Sequence, residues 1–288
     1  MSSIYFHLAG RLGNQLFQYA FAHQLASQFK REIRFFFDKF HHSGNYEWGV
    51  AAHMSSCQHV TGILRSNERG LLLKASDGLF SRNKSMFELL NKSARIMRTM
   101  DAFEFPEMPN KPPFLVTGFY SNSSSIEFAP VFLNELVDHL STIGNLDRLI
   151  VEQEYEIVHI RGTDMKNSVY GTLDHNYYLS LPDSDLPRYV LTDDVRHAES
   201  VTRGLNVARF FSPEMLNPWE AIEVMRRSRK VYVSNSTLAW WGGYLCRRNG
   251  GEVILPKPFF RRNFSASASL HVEGFNYLEA SFEPEING

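Results

Sequence analysis

Apolar and polar positions alternate in blocks along the chain, and the blocks change character near the middle. Residues 4–8 form a short apolar run that reads as a first buried strand. A glycine-bearing stretch, Ala9-Gly-Arg-Leu-Gly-Asn-Gln15, leads from it into a helix expected over residues 16–29. Leu16, Tyr19, Ala20, Leu25 and Phe29 fall largely on one side of that helix. Residues 33–37 predict a second strand. Residues 41–59 are rich in His, Ser and Gly without a clear period and read as loop. Residues 81–100 set Arg82, Lys84, Lys92, Arg95 and Arg98 beside Phe87, Leu89, Leu90, Met97 and Met100. That pattern suits a solvated helix of the fold first, and a basic amphipathic helix resting on a membrane surface second. Pro106, Pro109, Pro112 and Pro113 then break regular structure. A strand over 114–117 and a helix over 126–140 close a first half, residues 1–150.

The second half, residues 151–288, alternates more cleanly. Strands are expected at 156–160, 189–191, 207–210, 230–233 and 252–255. Helices are expected between them at 176–181, 194–203, 219–227 and 237–248. Strand–helix alternation argues for an α/β fold with a parallel sheet covered on both faces. Ligands of such sheets gather at the C-terminal strand ends, and polar clusters stand where these strands should stop. They are His159-Ile-Arg161-Gly-Thr-Asp164, Thr192-Asp193-Asp194 and Ser234-Asn-Ser-Thr237.

Two of these clusters have chemistry suited to an anion. Strand alternation sends His159 and Arg161 to one side, and a guanidinium offers a fork of donors whose charge does not titrate away. The turn at residues 234–237, followed by a helix, leaves backbone N–H groups and a positive dipole end that suit phosphate. Ser236 and Thr237 add hydroxyls beside them. Two plainer readings stay open: an ordinary N-cap before a core helix, and an arginine that only pairs with Asp164, Asp193 or Asp194. Gly10 and Gly13 permit a tight turn with Arg11, Asn14 and Gln15 nearby, but no P-loop lysine follows.

Composition narrows the class. The 288 residues carry 30 basic and 31 acidic side chains, a formal charge of −1, so no global field favours nucleic acid. Aromatic residues make up 14%, 23 of them Phe, best read as a Phe-rich core. Two cysteines give neither a disulfide framework nor a zinc site, and the adjacent His41 and His42 lack metal-ligand spacing. Asp183-Ser-Asp185 has the form of a metal-binding D-x-D, but between Pro182 and Pro187 it reads as a solvated turn. With no leader-like start and no apolar run of membrane-spanning length, the expected setting is cytoplasmic, with a peripheral inner-membrane contact through residues 81–100 left open. The Asn-x-Ser/Thr triplets are then chance matches.

Gly10-Arg-Leu-Gly-Asn-Gln15, His159-x-Arg161, Thr192-Asp-Asp194 and Ser234-Asn-Ser-Thr-Leu-Ala-Trp-Trp-Gly242 occur in this order. Together with Val253-Ile-Leu-Pro-Lys257 they resemble the bacterial α-1,2-fucosyltransferases of glycosyltransferase family 11. The resemblance spans residues 10 to 257, and its Ser-Asn-Ser-Thr…Trp-Trp-Gly block is the most specific. It departs at one place: the family's second arginine, after His-x-Arg, is Gly162 here, followed by Thr163, which removes one cation from the donor side.

The resemblance implies a GT-B fold, two Rossmann-like domains facing each other across a cleft. The first is the acceptor side and the second the GDP-sugar side. It implies inverting transfer of fucose from GDP-fucose to the 2-hydroxyl of a galactoside in an oligosaccharide, with no cofactor and no metal. By position, Arg161 would hold the β-phosphate and stabilise departing GDP, with Asn235, Ser236 and Thr237 at the same diphosphate. Asn14 would lie near donor and acceptor and Arg11 on the donor, while His159, Asp193 and Asp194 would shape the nucleotide pocket. Glu220 would read guanine N1–H and N2–H. The base for the acceptor hydroxyl stays unassigned.

Overall fold

The structure is a computed structural model that describes residues 3–37, 49–54, 60–63, 96–98, 107–127, 129–144, 146, 149–150, 153–163, 165, 168–262 and 269–285. The chain divides into two compact units, residues 1–139 and 140–288. In the first, five parallel strands take the order β3-β2-β1-β5-β4: β1 (Ile4–Leu8), β2 (Ile33–Phe37), β3 (Val60–Ile63), β4 (Ile96–Arg98) and β5 (Leu115–Thr117). Strand β1 alternates as expected of a pleated strand, with Ile4, Phe6 and Leu8 buried.

Helix α1 (Leu12–Phe29) begins one turn earlier than its apolar stripe suggests. Gly10, at φ +75°, turns the chain, and Arg11 takes an extended N-cap conformation. Asn14 and Gln15 therefore stand in the first helical turn and not in a loop. α1 is buried on nearly every side, since both faces carry Leu, Phe, Tyr and Ala. The phenylalanine content goes where expected: Phe21 stacks on Tyr120 at 4.3 Å, and Phe6 and Phe35 meet edge to face at 5.8 Å.

Three expectations for this half change. The single helix foreseen over 126–140 is two, α3 (Ser124–Glu127) and α4 (Pro130–Ser141), because Pro130 cannot continue a helix but suits the first position of a new one. Residues 96–98, placed in an amphipathic helix, pair with β5 as a strand. The rest of 81–100 lies outside the described residues, as do His41 and His42. Inside the foreseen loop 41–59, residues Val50–His53 form the short helix α2.

In the second unit six parallel strands take the order β11-β10-β9-β6-β7-β8: β6 (Glu156–Ile160), β7 (Arg188–Thr192), β8 (Arg209–Phe211), β9 (Lys230–Tyr232), β10 (Glu252–Lys257) and β11 (Asn276–Glu279). Helices α5 (His175–Leu179), α6 (Val195–Val201), α7 (Pro218–Arg227) and α8 (Thr237–Arg248) connect them. From β6 the chain moves outward through β7 to β8, then returns to β6's other edge with β9. This order, with its reversal between the first and fourth strands, is that of dinucleotide-binding sheets, and the reversal marks where ligands bind.

Side chains set how closely α8 approaches its neighbours. A Cβ on Gly242 would stand 2.5 Å from Met225 Sδ of α7, and one on Gly243 2.8 Å from Val233 Cγ2. The glycine pair thus lets α8 settle on α7 and on the sheet. Trp240 and Trp241 are fully buried beside it, and Trp240 Nε1 donates to the Leu270 carbonyl at 2.7 Å. They brace the helix and present no face for stacking a sugar.

Candidate nucleotide-binding site

The switch point of the second unit lies between the ends of β6 and β9, and one hydrogen bond spans it. His159 Nδ1, near the end of β6, is 2.8 Å from Ser234 Oγ, just beyond β9. Burial pushes the His159 imidazole down to about pKa 4; Asp193 opposes the shift and Arg161 adds to it. The ring is neutral at pH 7, so it joins the two strand ends without adding charge.

Arg161 follows directly. Its Nη1 lies 2.8 Å from Asp193 Oδ2, both side chains 16% exposed. Asp193 also accepts from Gly162 N at 2.7 Å, from Thr163 Oγ1 at 2.7 Å and from Thr163 N at 3.4 Å. Burial alone would raise this carboxyl, but Arg161, the Thr163 hydroxyl and the Gly162 amide outweigh it and hold the pKa below its ordinary value. Asp193 therefore organises the loop after β6. Of the three carboxylates that could have partnered Arg161, Asp194 instead caps α6, accepting from His197 N at 3.0 Å, and Asp164 lies outside the described residues.

Beyond β9, Ser236 is the N-cap of α8 by backbone conformation (φ −129°, ψ 131°), yet its side chain makes no capping hydrogen bond. Thr237 opens the first turn beside it. Asn235 is buried; its amide donates to Gly171 O at 2.6 Å and to Tyr170 O at 3.3 Å, while its Oδ1 finds no hydrogen-bond partner among the described residues. A twelve-residue helix thus starts without a side-chain cap after β9, the strand that pairs with β6, and Arg161 follows β6. Helix N-termini and guanidinium groups are both suited to phosphate.

Glu220 has a partner within its own helix turn. Its Oε2 accepts from Asn217 N at 2.8 Å while Asn217 Oδ1 accepts from Glu220 N at 3.0 Å. The two residues form a capping box at the start of α7, a structural task for the carboxylate expected to read guanine. Arg11 and Asn14 belong to the first unit. Arg11 is the exposed N-cap of α1, and Asn14 packs over Gly10, where an added Cβ would meet its Nδ2 at 2.6 Å. Gln15 is internal: Nε2 donates to Gly10 O at 2.9 Å and Oε1 accepts from Val50 N at 3.1 Å. Gln18, which carried no expectation, joins the ends of β1 and β5 by accepting from Ala9 N at 3.1 Å and donating to Gly118 O at 2.7 Å.

Residues without a sequence signal complete the surroundings in the second unit. Glu283 accepts from Thr172 Oγ1 at 2.9 Å, and its other oxygen is 3.7 Å from His197 Nδ1. Among the described residues no group of three or more His, Cys, Asp or Glu side chains could hold a metal ion, and no helix is long and apolar enough to cross a membrane.

No family model matches the chain, and neither does any curated protein. Solved structures do. The Escherichia coli heptosyltransferase WaaC with ADP is 11% identical over 98% of this chain and 94% of its own, with a TM-score of 0.50. The fucosyltransferase NodZ from Bradyrhizobium is 12% identical over 84% and 92%, with a TM-score of 0.46. A mutant of Arabidopsis thaliana FUT1 in complex with GDP is 13% identical over 88% and 69%, with a TM-score of 0.49. With two Rossmann-like units of parallel strands in one chain, the protein has the α/β fold of GT-B type that WaaC shares.

Proposed function

We propose that the protein is a glycosyltransferase that moves L-fucose from GDP-fucose to the 2-hydroxyl of a galactoside in an oligosaccharide acceptor, with inversion and without a metal. The observation that carries the proposal is Arg161, held by Asp193, at the end of the strand adjoining the one that leads into α8. The sugar and linkage come from the motif resemblance.

Transfer breaks the bond between the sugar C1 and the β-phosphate oxygen, and the electron pair leaves with GDP. The acceptor oxygen bonds to C1 from the opposite face and releases its proton to solvent water. Negative charge grows on the leaving diphosphate, where Arg161 and the α8 N-terminus offer donors fixed beforehand. Fixed donors of this type are worth about 10²- to 10³-fold each in rate. They supply what a divalent cation supplies in metal-dependent transferases. Asn14 and Arg11 enter through the resemblance, as groups contacting donor and acceptor.

Gly162 favours a second reading within the same class, another GDP-sugar or another acceptor hydroxyl, because a cation is missing where the fucosyl enzymes keep one. Incubation with GDP-fucose and lactose, followed by detection of GDP and a trisaccharide, tests the first reading. Transfer from GDP-mannose alone would replace it with the second. Tight GDP binding with no turnover would reduce the protein to a binder.

A further inference from the structure

Position 162 has no room for the missing arginine. A Cβ there would stand 2.9 Å from Asp194 Cβ and 3.0 Å from His197 Cδ2. A nucleoside diphosphate carries more than one negative charge, and Arg161 shares its own charge with Asp193 at 2.8 Å. The loop after β6 therefore holds one partly neutralised cation for a ligand that asks for more.

A second guanidinium reaches this region from the segment after β10, the strand that neighbours β9. Arg261 N donates to Tyr170 O at 2.9 Å. Its side chain lies against Gly171, where an added Cβ would stand 2.6 Å from Nε and 2.9 Å from Cζ. Gly171 sits at φ +70°, and the lack of a side chain there lets the guanidinium close on the backbone. Asn235 donates to the carbonyls of the same two residues, Tyr170 and Gly171. A single short stretch of backbone thus joins Arg261 to the residue next to the α8 N-cap.

Arg261 differs from an ordinary ion-paired arginine. Its side chain is 14% exposed, and its nearest ion pair is loose: Glu285 Oε1 lies 3.7 Å from Nη1 and is shared with Arg262 Nη2 at 3.6 Å. Nη2 donates to the Glu283 carbonyl at 2.7 Å, which orients the group without neutralising it. Nε is buried with no hydrogen-bond partner among the described residues. Burying a guanidinium with one loose ion pair and an unsatisfied Nε is costly, and an anion at the remaining exposed edge of the group offsets that cost through its charge.

We infer that Arg261 is the second cation of the diphosphate site, taking the phosphate charge that Gly162 cannot. The inference rests on the reading of the β6/β9 crevice as a nucleoside-diphosphate site. It makes donor binding depend on residues from three strand ends: Arg161 after β6, the α8 N-terminus after β9 and Arg261 after β10.

Calorimetric titration of the full chain with GDP, alongside thermal melting without ligand, tests it in the wild type, Arg261→Gln and Arg261→Lys. The expected result is a GDP dissociation constant raised about 10- to 100-fold in Arg261→Gln, the loss typical of one charged hydrogen bond. Melting should fall modestly in both variants through the lost Glu283 contact, while Arg261→Lys should recover part of the affinity through its charge. A GDP affinity within twofold of wild type in Arg261→Gln would overturn the inference. So would an affinity loss that tracks a loss of melting temperature and is not recovered by lysine, which would make Arg261 a clamp of the fold. A wild-type protein that binds no GDP would instead remove the diphosphate reading beneath it.

Discussion

Arg161 and Asp193 stand at the ends of adjacent parallel strands with 2.8 Å between Nη1 and Oδ2, and the same carboxylate gathers the amide of Gly162 and the hydroxyl of Thr163. The aspartate fixes the arginine and the loop together, so the two residues should fail differently. Arg161→Ala removes the group aimed at the leaving diphosphate and should lower kcat/KM by about 10²- to 10³-fold or more. Asp193→Asn keeps a hydrogen-bonding side chain but turns a donor toward Nη1. It should cost about 10- to 100-fold, equivalent to about 1.4–2.7 kcal/mol, mainly in kcat. Steady-state kinetics on both variants decides this, and an Asp193→Asn enzyme with wild-type kcat would mean that Arg161 is positioned by something else.

Restoring the arginine that the resemblance leads one to expect should harm the protein. In Gly162→Arg the new Cβ meets Asp194 and His197 at about the distances given above, and overpacking of this kind typically costs about 1–3 kcal/mol. Thermal melting should show a clear loss with no gain in activity. A variant that melts as the wild type and turns over faster would show that the loop has room to open.

Stability should fall as pH drops from 6.5 toward 4. Burial gives His159 a folded pKa of about 4, against about 6.5 unfolded, so the folded state favours the neutral ring. That stabilisation is complete above the unfolded value and is lost as pH falls through the folded one, up to about 3 kcal/mol in all. Half-buried His139 and partly buried His271 are shifted the same way. Asp193, held below its ordinary value, adds a loss only at lower pH. Urea unfolding at pH 7, 5.5 and 4.5 should trace the slope, and His159→Asn should flatten part of it. An unchanged slope in that variant would place the titration elsewhere.

Transfer should survive EDTA. Arginine and helix donors face the departing diphosphate in the proposed mechanism, so chelation leaves them untouched. Loss of activity on dialysis against EDTA, restored by Mg²⁺ or Mn²⁺, would refute the metal-free step.

Much of the second unit was legible beforehand, for a physical reason. Parallel strands buried on both faces read as unbroken apolar runs, and β6, β7 and β10 have buried interiors flanked by turns. Helix α8 was expected over 237–248 and spans those residues, because small polar residues precede it and arginines end it. Strand β11 gave no signal, since three of its four residues are exposed and an edge strand needs no apolar face. The capping box Asn217–Glu220 is a readable pattern at the head of α7, because an Asn followed three residues later by a Glu is a local signal for a helix start. Which carboxylate holds Arg161 could not be read, because Asp193 and Asp194 are neighbours in sequence and differ only in where the turn after β7 sends them. Glu283 and Arg261 were out of reach altogether, since they approach the site through contacts with no local pattern.

Thr172 and Glu283 hydrogen-bond across 111 positions of sequence, and Arg261 ties the same Glu283 backbone to the loop. Strands β6 through β10 pair with one another without residue 283. The stretch from Tyr170 to Thr172 gains these distant anchors only when the segment around Glu283 docks. Perturbing that segment should then weaken donor binding before it disturbs the sheet.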